Sequence, residues 1–508
     1  MLSAIQSGHA GVRTAGREAA FAIAVDRLVV IASYWYLVIP SLIFVAGWLR
    51  WYYALPAACL LLVSCLLCCR EESWQPSVPL LSDRPQKKAM GVSLVMLTLW
   101  FTLSGIGGYT FQNSDFLVRN AMLRDLVFCH WPIVETTAGG SHQIALVYYI
   151  GHFLPAALIG KVLGLGYAQH ALFLWSLLGG AATLYLFFRH IGKVSWFYAF
   201  IFMAFSGLDV VGHILLKGHI PMFGRQVEWW ATYFQYTSLT AGLYWAFNQF
   251  IGPWVAVMLL LNQKTGKNVL FILAAMLIQA PFPSIGLLVL VWFVPNATGT
   301  PGILSRVRKR LSLQGVVPLL TLAIICGLYY SSCSGSGCTF REWYFCRCHP
   351  LSKACGLLCL FWLLEFALLM AAIAPAYRRD TLFWVNGLAL ALIPLYRIGY
   401  YNDFVMRVSI PSLAILSAYV VQYIDAFPQR SSRRTALMVM LFLGFWTSGS
   451  EVARSLYHAN QWPHICDGLH CMGDTRARSS LISHHRRMRQ YVAHDADASL
   501  FFRELARK

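Results

Sequence analysis

"NSDFLVRNAMLRDL", residues 113–126, places two Asp and two Arg between two strongly apolar stretches. Apolar runs near membrane-spanning length recur on both sides of it. The 508-residue chain is 58% hydrophobic, only 12% charged, and has a mean hydropathy of +0.57. Soluble domains carry about 25% charged residues, so the expected fold class is an all-α integral membrane protein. The charges at 113–126 then have two readings. They are a solvated connection between spans, or a polar site held at the membrane surface.

The apolar runs fall at 28–48, 52–69, 89–109, 170–188, 194–208, 249–262, 268–280, 284–295, 316–332, 355–373, 381–396, 408–426 and 436–449. They predict about 13 transmembrane helices, several shorter than the ~20 residues a full crossing needs and so candidates for half-helices. The basic connections "CCREESWQPSVPLLSDRPQKK" (68–88), "RHIGK" (189–193), "NQKTGKN" (262–268), "SRVRKR" (305–310), "YRRD" (377–380) and "PQRSSRR" (428–434) belong in the cytoplasm. Segments 110–169, 209–248, 333–354, 397–407 and the tail are thereby expected on the outer face. The apolar stretch 145–166 would invert this order if it crossed, so it reads as a re-entrant or interfacial element, with Pro155 marking a break.

Residues 1–27 carry basic residues but no compact apolar core before a small-residue cleavage site, and read as a cytoplasmic segment ahead of a membrane domain at 28–449. The tail, 450–508, has helical periodicity with a basic face and is expected as a small helical appendage on the outer side. No internal repeat of the kind that builds transporters is visible.

The formal net charge of +19 does not imply nucleic acid, because the Arg and Lys sit mostly in the short connections and no basic patch joins a soluble fold. Among 14 cysteines, Cys59, Cys65, Cys68 and Cys69 lie in or at the end of an apolar run and read as small hydrophobes. Cys333, Cys338, Cys346 and Cys348 crowd into "SSCSGSGCTFREWYFCRCHP" (331–350), with Cys466 and Cys471 in the tail. The spacing lacks the paired knuckles of a zinc ribbon, and disulfides in an oxidising compartment are the expectation.

The concentrated polar features share the expected outer face. The first holds Asp115, Arg119, Asn120, Arg124 and Asp125, with Asp115/Arg119 and Asn120/Arg124 each four residues apart on a helix. The second, 205–250, holds Asp209, His213, Lys217, His219, Arg225, Glu228 and Gln235, then Asn248 and Gln249. The third, 396–412, holds Arg397, Asp403 and Arg407 beside Tyr400 and Tyr401. Any single one reads as an interfacial snorkeller or an ion pair. Three clusters on one face are functional candidates, because ionisable groups at membrane depth are costly.

The blocks "SDFLVRNAMLRDLVFCHWPI" (114–133), "ALVYYIGHFLPAALIGKVLG" (145–164), "WWATYFQYTSLTAGLYWAFNQFIGPW" (229–254) and "NDFVMRVSIPSL" (402–413) resemble those of a group of bacterial membrane proteins of the GT-C superfamily of polytopic glycosyltransferases. The resemblance spans roughly 90–425. It implies transfer of a sugar from a polyprenyl-phosphate donor to a lipid, glycan or protein acceptor on the outer face of a bacterial inner membrane. Asp115 is then the catalytic base. Arg119, Asn120, Arg124, Asp209, Lys217, Arg225, Glu228, Gln235, Asp403 and Arg407 are the candidate substrate-binding residues, with Arg407, Arg225 and Lys217 facing the leaving phosphate. Many such enzymes carry two adjacent acids in the first loop, whereas Asp115 here follows Asn113 and Ser114. No metal site or cofactor is therefore assigned, and His213, His219 and Glu228 are the one conceivable set for a divalent ion. A transporter or flippase is the principal rival, with "LIQAPFPSIGLL" (277–288) its best feature. A non-enzymatic subunit of an envelope assembly complex is the third class.

Overall fold

The computed structural model describes residues 2–73, 80–136, 143–232, 234–294, 303–333, 341–344, 351–399, 402–427, 431–459 and 492–507. Eight helices are long and apolar enough to cross a membrane: Ala20–Trp48, Trp51–Glu72, Leu165–Ile191, Trp196–Lys217, Leu239–Leu261, Leu313–Ser331, Ser352–Tyr377 and Ser432–Ala459. The chain is a predominantly helical, multi-pass membrane protein. Each of the 13 apolar runs contains helix, but several are too short to span. Val269–Met276 has 8 residues and Pro281–Leu290 has 10. At about 1.5 Å per residue these cover roughly half of a ~30 Å hydrocarbon core or less. Val269–Met276 is buried throughout, so it lies inside the bundle rather than against lipid.

The basic connections gather at one end. Glu72 accepts from Gln263 Nε2 (2.9 Å) and Asn268 Nδ2 (3.2 Å), and Ser312 Oγ donates to the Lys267 carbonyl (2.6 Å). Arg189 pairs with Asp26 (2.8 Å) and Lys193 with Asp425 (3.0 Å). Segments 68–73, 189–193, 262–268, 312–314 and 425–427 thus share a face, as a common side for the positive connections requires.

The other end carries the long loops. Val134–Thr136, Gln143–Leu146 and Val492–Ala493 form an antiparallel sheet, registered Val134↔Ala145 and Leu146↔Val492. Arg507 N donates to the Trp48 carbonyl (2.8 Å) and Arg50 N to the Leu505 carbonyl (2.9 Å), so the tail packs over the turn between the first two spans. Of the tail, 450–459 continue the helix Ser432–Ala459, 460–491 lie outside the described residues, and 492–507 hold a short strand and one wide helical turn, Phe501–Leu505. The strand pairs there because Val492 and Ala493 are both buried against the Gln143–Leu146 edge. After that edge strand, Gly151–Leu163 is a short apolar helical stretch with Pro155 in the first turn of its α-helical part. Lys161 donates to the Cys129 carbonyl (2.7 Å) and sits 4.8 Å above the Trp131 ring.

Cys338, Cys346, Cys348, Cys466 and Cys471 lie outside the described residues, as do Tyr400 and Tyr401. Cys65, Cys68 and Cys69 are buried in the second span; Cys59 is exposed.

Candidate functional site

Asp115 opens the helix Asp115–Phe128, where the unpaired N–H groups of a first turn favour a carboxylate. Its entry is clamped by Asn113, whose Oδ1 accepts the Asp115 N–H (3.1 Å) while its Nδ2 donates to the Tyr244 carbonyl (2.8 Å). One turn on, Arg119 Nη2 reaches Asp115 Oδ2 at 3.1 Å. The partners sit in different environments. Arg119 is 6% exposed and lies 5.5 Å from the ring centres of both Phe116 and Phe247, whereas the Asp115 side chain is 51% exposed. Two further guanidinium nitrogens of Arg119, Nε and Nη1, are enclosed and have no hydrogen-bond partner among the described residues. A buried donor left without a partner costs about 1–3 kcal/mol, more when charged, so it calls for a reason.

The rest of the first cluster is tied to its neighbours. Asn120 Nδ2 donates to Gln112 Oε1 (2.8 Å), and Asn120 Oδ1 accepts from Gln169 Nε2 (3.3 Å). Arg124 is half-buried and Asp125 is buried on later turns of the same helix.

Far along the chain the motif repeats. Asp403 opens the short helix Asp403–Val408, and Arg407 pairs with it at 2.9 Å. Arg407 also contacts the Tyr149 hydroxyl and lies 5.0 Å above that ring. Tyr149 packs against Tyr148, ring centres 3.8 Å apart and planes tilted by 35°. Burial pushes the Tyr148 hydroxyl above its ordinary range, while Arg407 and then Arg119 pull it down and Asp403 pushes it up. Tyr148 is thus within electrostatic reach of both arginines. Two Asp–Arg pairs, one from 115–119 and one from 403–407, flank a tyrosine pair from the interfacial 145–166 segment.

The second cluster divides. Lys217, at the end of the span Trp196–Lys217, and Arg225 are exposed. Asp209 and Glu228 are buried, at 1% and 2% exposure, because part of 209–238 folds inward between helices. Asp209 Oδ2 accepts from Ser206 Oγ (2.9 Å) and Thr447 Oγ1 (3.0 Å), and Oδ1 accepts from Trp230 Nε1 (3.1 Å). That same indole donates to Glu365 Oε1, also at 3.1 Å. Glu228 accepts from the Ser238 N–H (2.8 Å) and from Gln235 Nε2 (2.6 Å), whose Oε1 accepts from Trp229 Nε1. Burial, then the neighbouring Asp209 and Glu451, push the Glu228 carboxyl up to about 8. His213 and His219 have ring centres 5.0 Å apart, but among the described residues no three His, Cys, Asp or Glu are grouped to hold a metal ion.

Sequence reasoning singles out neither Glu365 nor Glu451. Each is buried on a long apolar helix; Glu451 is held by Trp245 Nε1 (2.9 Å) and by Arg454. The signal for Glu365 was present, since it is the one charged residue in "ACGLLCLFWLLEFALLMAAIAPAY" (354–377), and a lone acid in a span marks a site by default. Tyr148 and Tyr149 carry no such signal. Comparison with protein-family models, with curated proteins and with solved structures finds no match for this chain.

Proposed function

We propose that the chain is a membrane glycosyltransferase that moves a sugar from a polyprenyl-phosphate donor to an acceptor hydroxyl. The observation that carries this reading is Arg119: a buried arginine with two unpartnered N–H-bearing nitrogens, beside a half-exposed Asp115. A donor phosphate, admitted as the Phe116 and Phe247 side chains move aside, would satisfy those N–H groups, and a planar guanidinium fork suits phosphate oxygens. The acceptor O–H gives its proton to Asp115. Its oxygen then bonds to the anomeric carbon as the carbon–oxygen bond to the phosphate breaks, and polyprenyl phosphate leaves as an anion facing Arg119 and Arg407. The Tyr148–Tyr149 pair, buried beside Arg407, is the aromatic surface nearest that cation for a sugar ring to meet. Lys217 and Arg225, both exposed, and Asn120, Arg124, Gln235 and Asp403 complete the set to be tested for donor or acceptor contacts, whereas Asp209 and Glu228 are buried and hydrogen-bonded within the protein. The proposed setting is a bacterial inner membrane, with a lipid, glycan or protein as acceptor.

The test is to incubate purified protein with labelled polyprenyl-phosphate sugars and an acceptor extract, and to follow release of polyprenyl phosphate. Release that requires both acceptor and Asp115 supports the reading; no release with any donor sinks it.

One observation favours a transporter as the second reading. The span Trp196–Lys217 is broken at 205–208, and buried carboxyls lie beside the break. Donor lipid crossing the bilayer of proteoliposomes intact, without bond cleavage, would favour it.

A further inference from the structure

Asp209 and Glu365 share a single donor. Trp230 Nε1 sits 3.1 Å from an oxygen of each, and both carboxyls are at most 2% exposed. Glu365 lies near the middle of the Ser352–Tyr377 span, on a wide helical turn at Leu363–Ala367. Such turns interrupt the regular ladder and recur at functional positions. Asp209 follows the break at 205–208. Thr447, which also donates to Asp209, lies near the middle of Ser432–Ala459.

The charge around the pair is all of one sign. The 228–238 segment contributes Glu228, Trp230 and Tyr236; the last helix contributes Thr447 and Glu451; the 196–217 span contributes Ser206. Among the described residues, neither Asp209 nor Glu365 pairs with a Lys, Arg or His, and Arg454 is committed to Glu451. Two carboxylates cannot both stay ionised at this spacing in a site without cations.

Their donor sets differ. Asp209 receives three hydrogen bonds, from Ser206, Thr447 and Trp230, which is the environment of an anion. Glu365 receives only the shared indole on Oε1, and its Oε2 is enclosed with no hydrogen-bond partner. Nor is there room on that side for anything larger than hydrogen. A Cβ placed on Gly207 would come within 2.1 Å of Oε2, so the carboxyl packs directly on the Gly207 backbone.

We infer that Asp209 and Glu365 form a proton-binding site near mid-bundle, with the proton on Glu365 and the negative charge on Asp209. This site is independent of the glycosyltransferase reading. Losing the proton would leave two anions facing one indole N–H and press the 209–238 segment away from the Ser352–Tyr377 helix. The ligand is a proton, and the elements it holds together are the broken helix and the wide turn.

Infrared spectroscopy of the full-length protein in lipid nanodiscs tests this. Spectra are taken in alkaline buffer, where Glu228 has released its own proton. The wild type should retain a protonated-carboxyl C=O stretch that Glu365→Gln removes and Glu228→Gln leaves. Glu365→Gln should keep the wild-type Tm in that buffer, because a neutral amide replaces a neutral acid. If that variant does not fold, selective carboxyl-13C labelling of the wild type reads the same group: the band should shift with labelled Glu and not with labelled Asp. No such band in the wild type, a band surviving Glu365→Gln, or a band that follows the Asp label would overturn the assignment.

Discussion

Arg119 Nη2 stands 3.1 Å from Asp115 Oδ2, and the two ends of this pair face opposite environments, one enclosed by Phe116 and Phe247 and the other half open. The pair is asymmetric in what it can offer. The carboxylate is available to a reactant, while the guanidinium is fixed from behind and keeps two nitrogens unfilled.

The unfilled nitrogens give the first prediction. Inorganic phosphate or pyrophosphate should raise the Tm of the wild type, by the linkage that any ligand of the folded state obeys. Arg119→Lys keeps the charge but not the fork, and should lose most of that shift. An equal shift in Arg119→Lys and wild type would remove Arg119 from the anion site.

Arg407 should behave as a second phosphate-facing cation. Arg407→Ala removes its contacts with Asp403 and with the Tyr149 ring, and should weaken donor binding as well as turnover. Losing a hydrogen bond to a charged group corresponds to about 1.5–3 kcal/mol, roughly 10- to 150-fold in affinity. Donor titrations by fluorescence in nanodiscs measure it directly, and an unchanged affinity would exclude the role.

The Asp115–Arg119 pair was legible before the fold was. Four-residue spacing alone puts the two together, because residues one turn apart meet on any helix. Asp403 and Arg407 have the same spacing, but in the sequence they stood only as members of one cluster. The helices were legible too, from uninterrupted apolar runs. The inward fold of part of 209–238 was not: Asp209 and Glu228 look the same in sequence whether the segment is solvated or turned into the bundle. What distinguishes the cases is Trp230, Ser206, Thr447 and Glu365 arriving from other elements, and that is tertiary information. At 492–493 the tail shows the same limit: the helical periodicity of the sequence gives no sign that the edge strand Gln143–Leu146 claims Val492 and Ala493.

Glu228 predicts the pH dependence of stability. Its carboxyl is raised to about 8 in the folded protein, from an ordinary value of 4.5, so folding favours the protonated form. That contribution is complete below about pH 4.5 and is lost as pH rises through about 8. Thermal unfolding of the wild type should therefore shift downward between those limits, and Glu228→Gln should flatten this part of the profile. A steeper profile in the variant would contradict the sign.

Gly207 should couple energetically to Glu365. A methyl at Gly207 would meet Oε2 at 2.1 Å, so Gly207→Ala overpacks the site and should destabilise by about 1–3 kcal/mol. Shortening the neighbour with Glu365→Ala makes room, and the double variant should recover part of that loss, a non-additivity of about 0.5–3 kcal/mol. Strictly additive Tm changes would mean that the two residues do not share the space.

The central claim is that Asp115 is the general base, and its isosteric amide tests it most directly. Transfer and donor affinity are measured side by side for Asp115→Asn and Asp125→Asn in nanodiscs, with Tm as the control for folding, since Asp125 is buried and Asp115 is not. Asp115→Asn should keep its Tm and its donor affinity while transfer falls about 10²–10⁴-fold, the usual cost of removing a positioned base. Asp125→Asn should leave transfer per folded molecule unchanged. Near-wild-type transfer by Asp115→Asn would contradict the assignment.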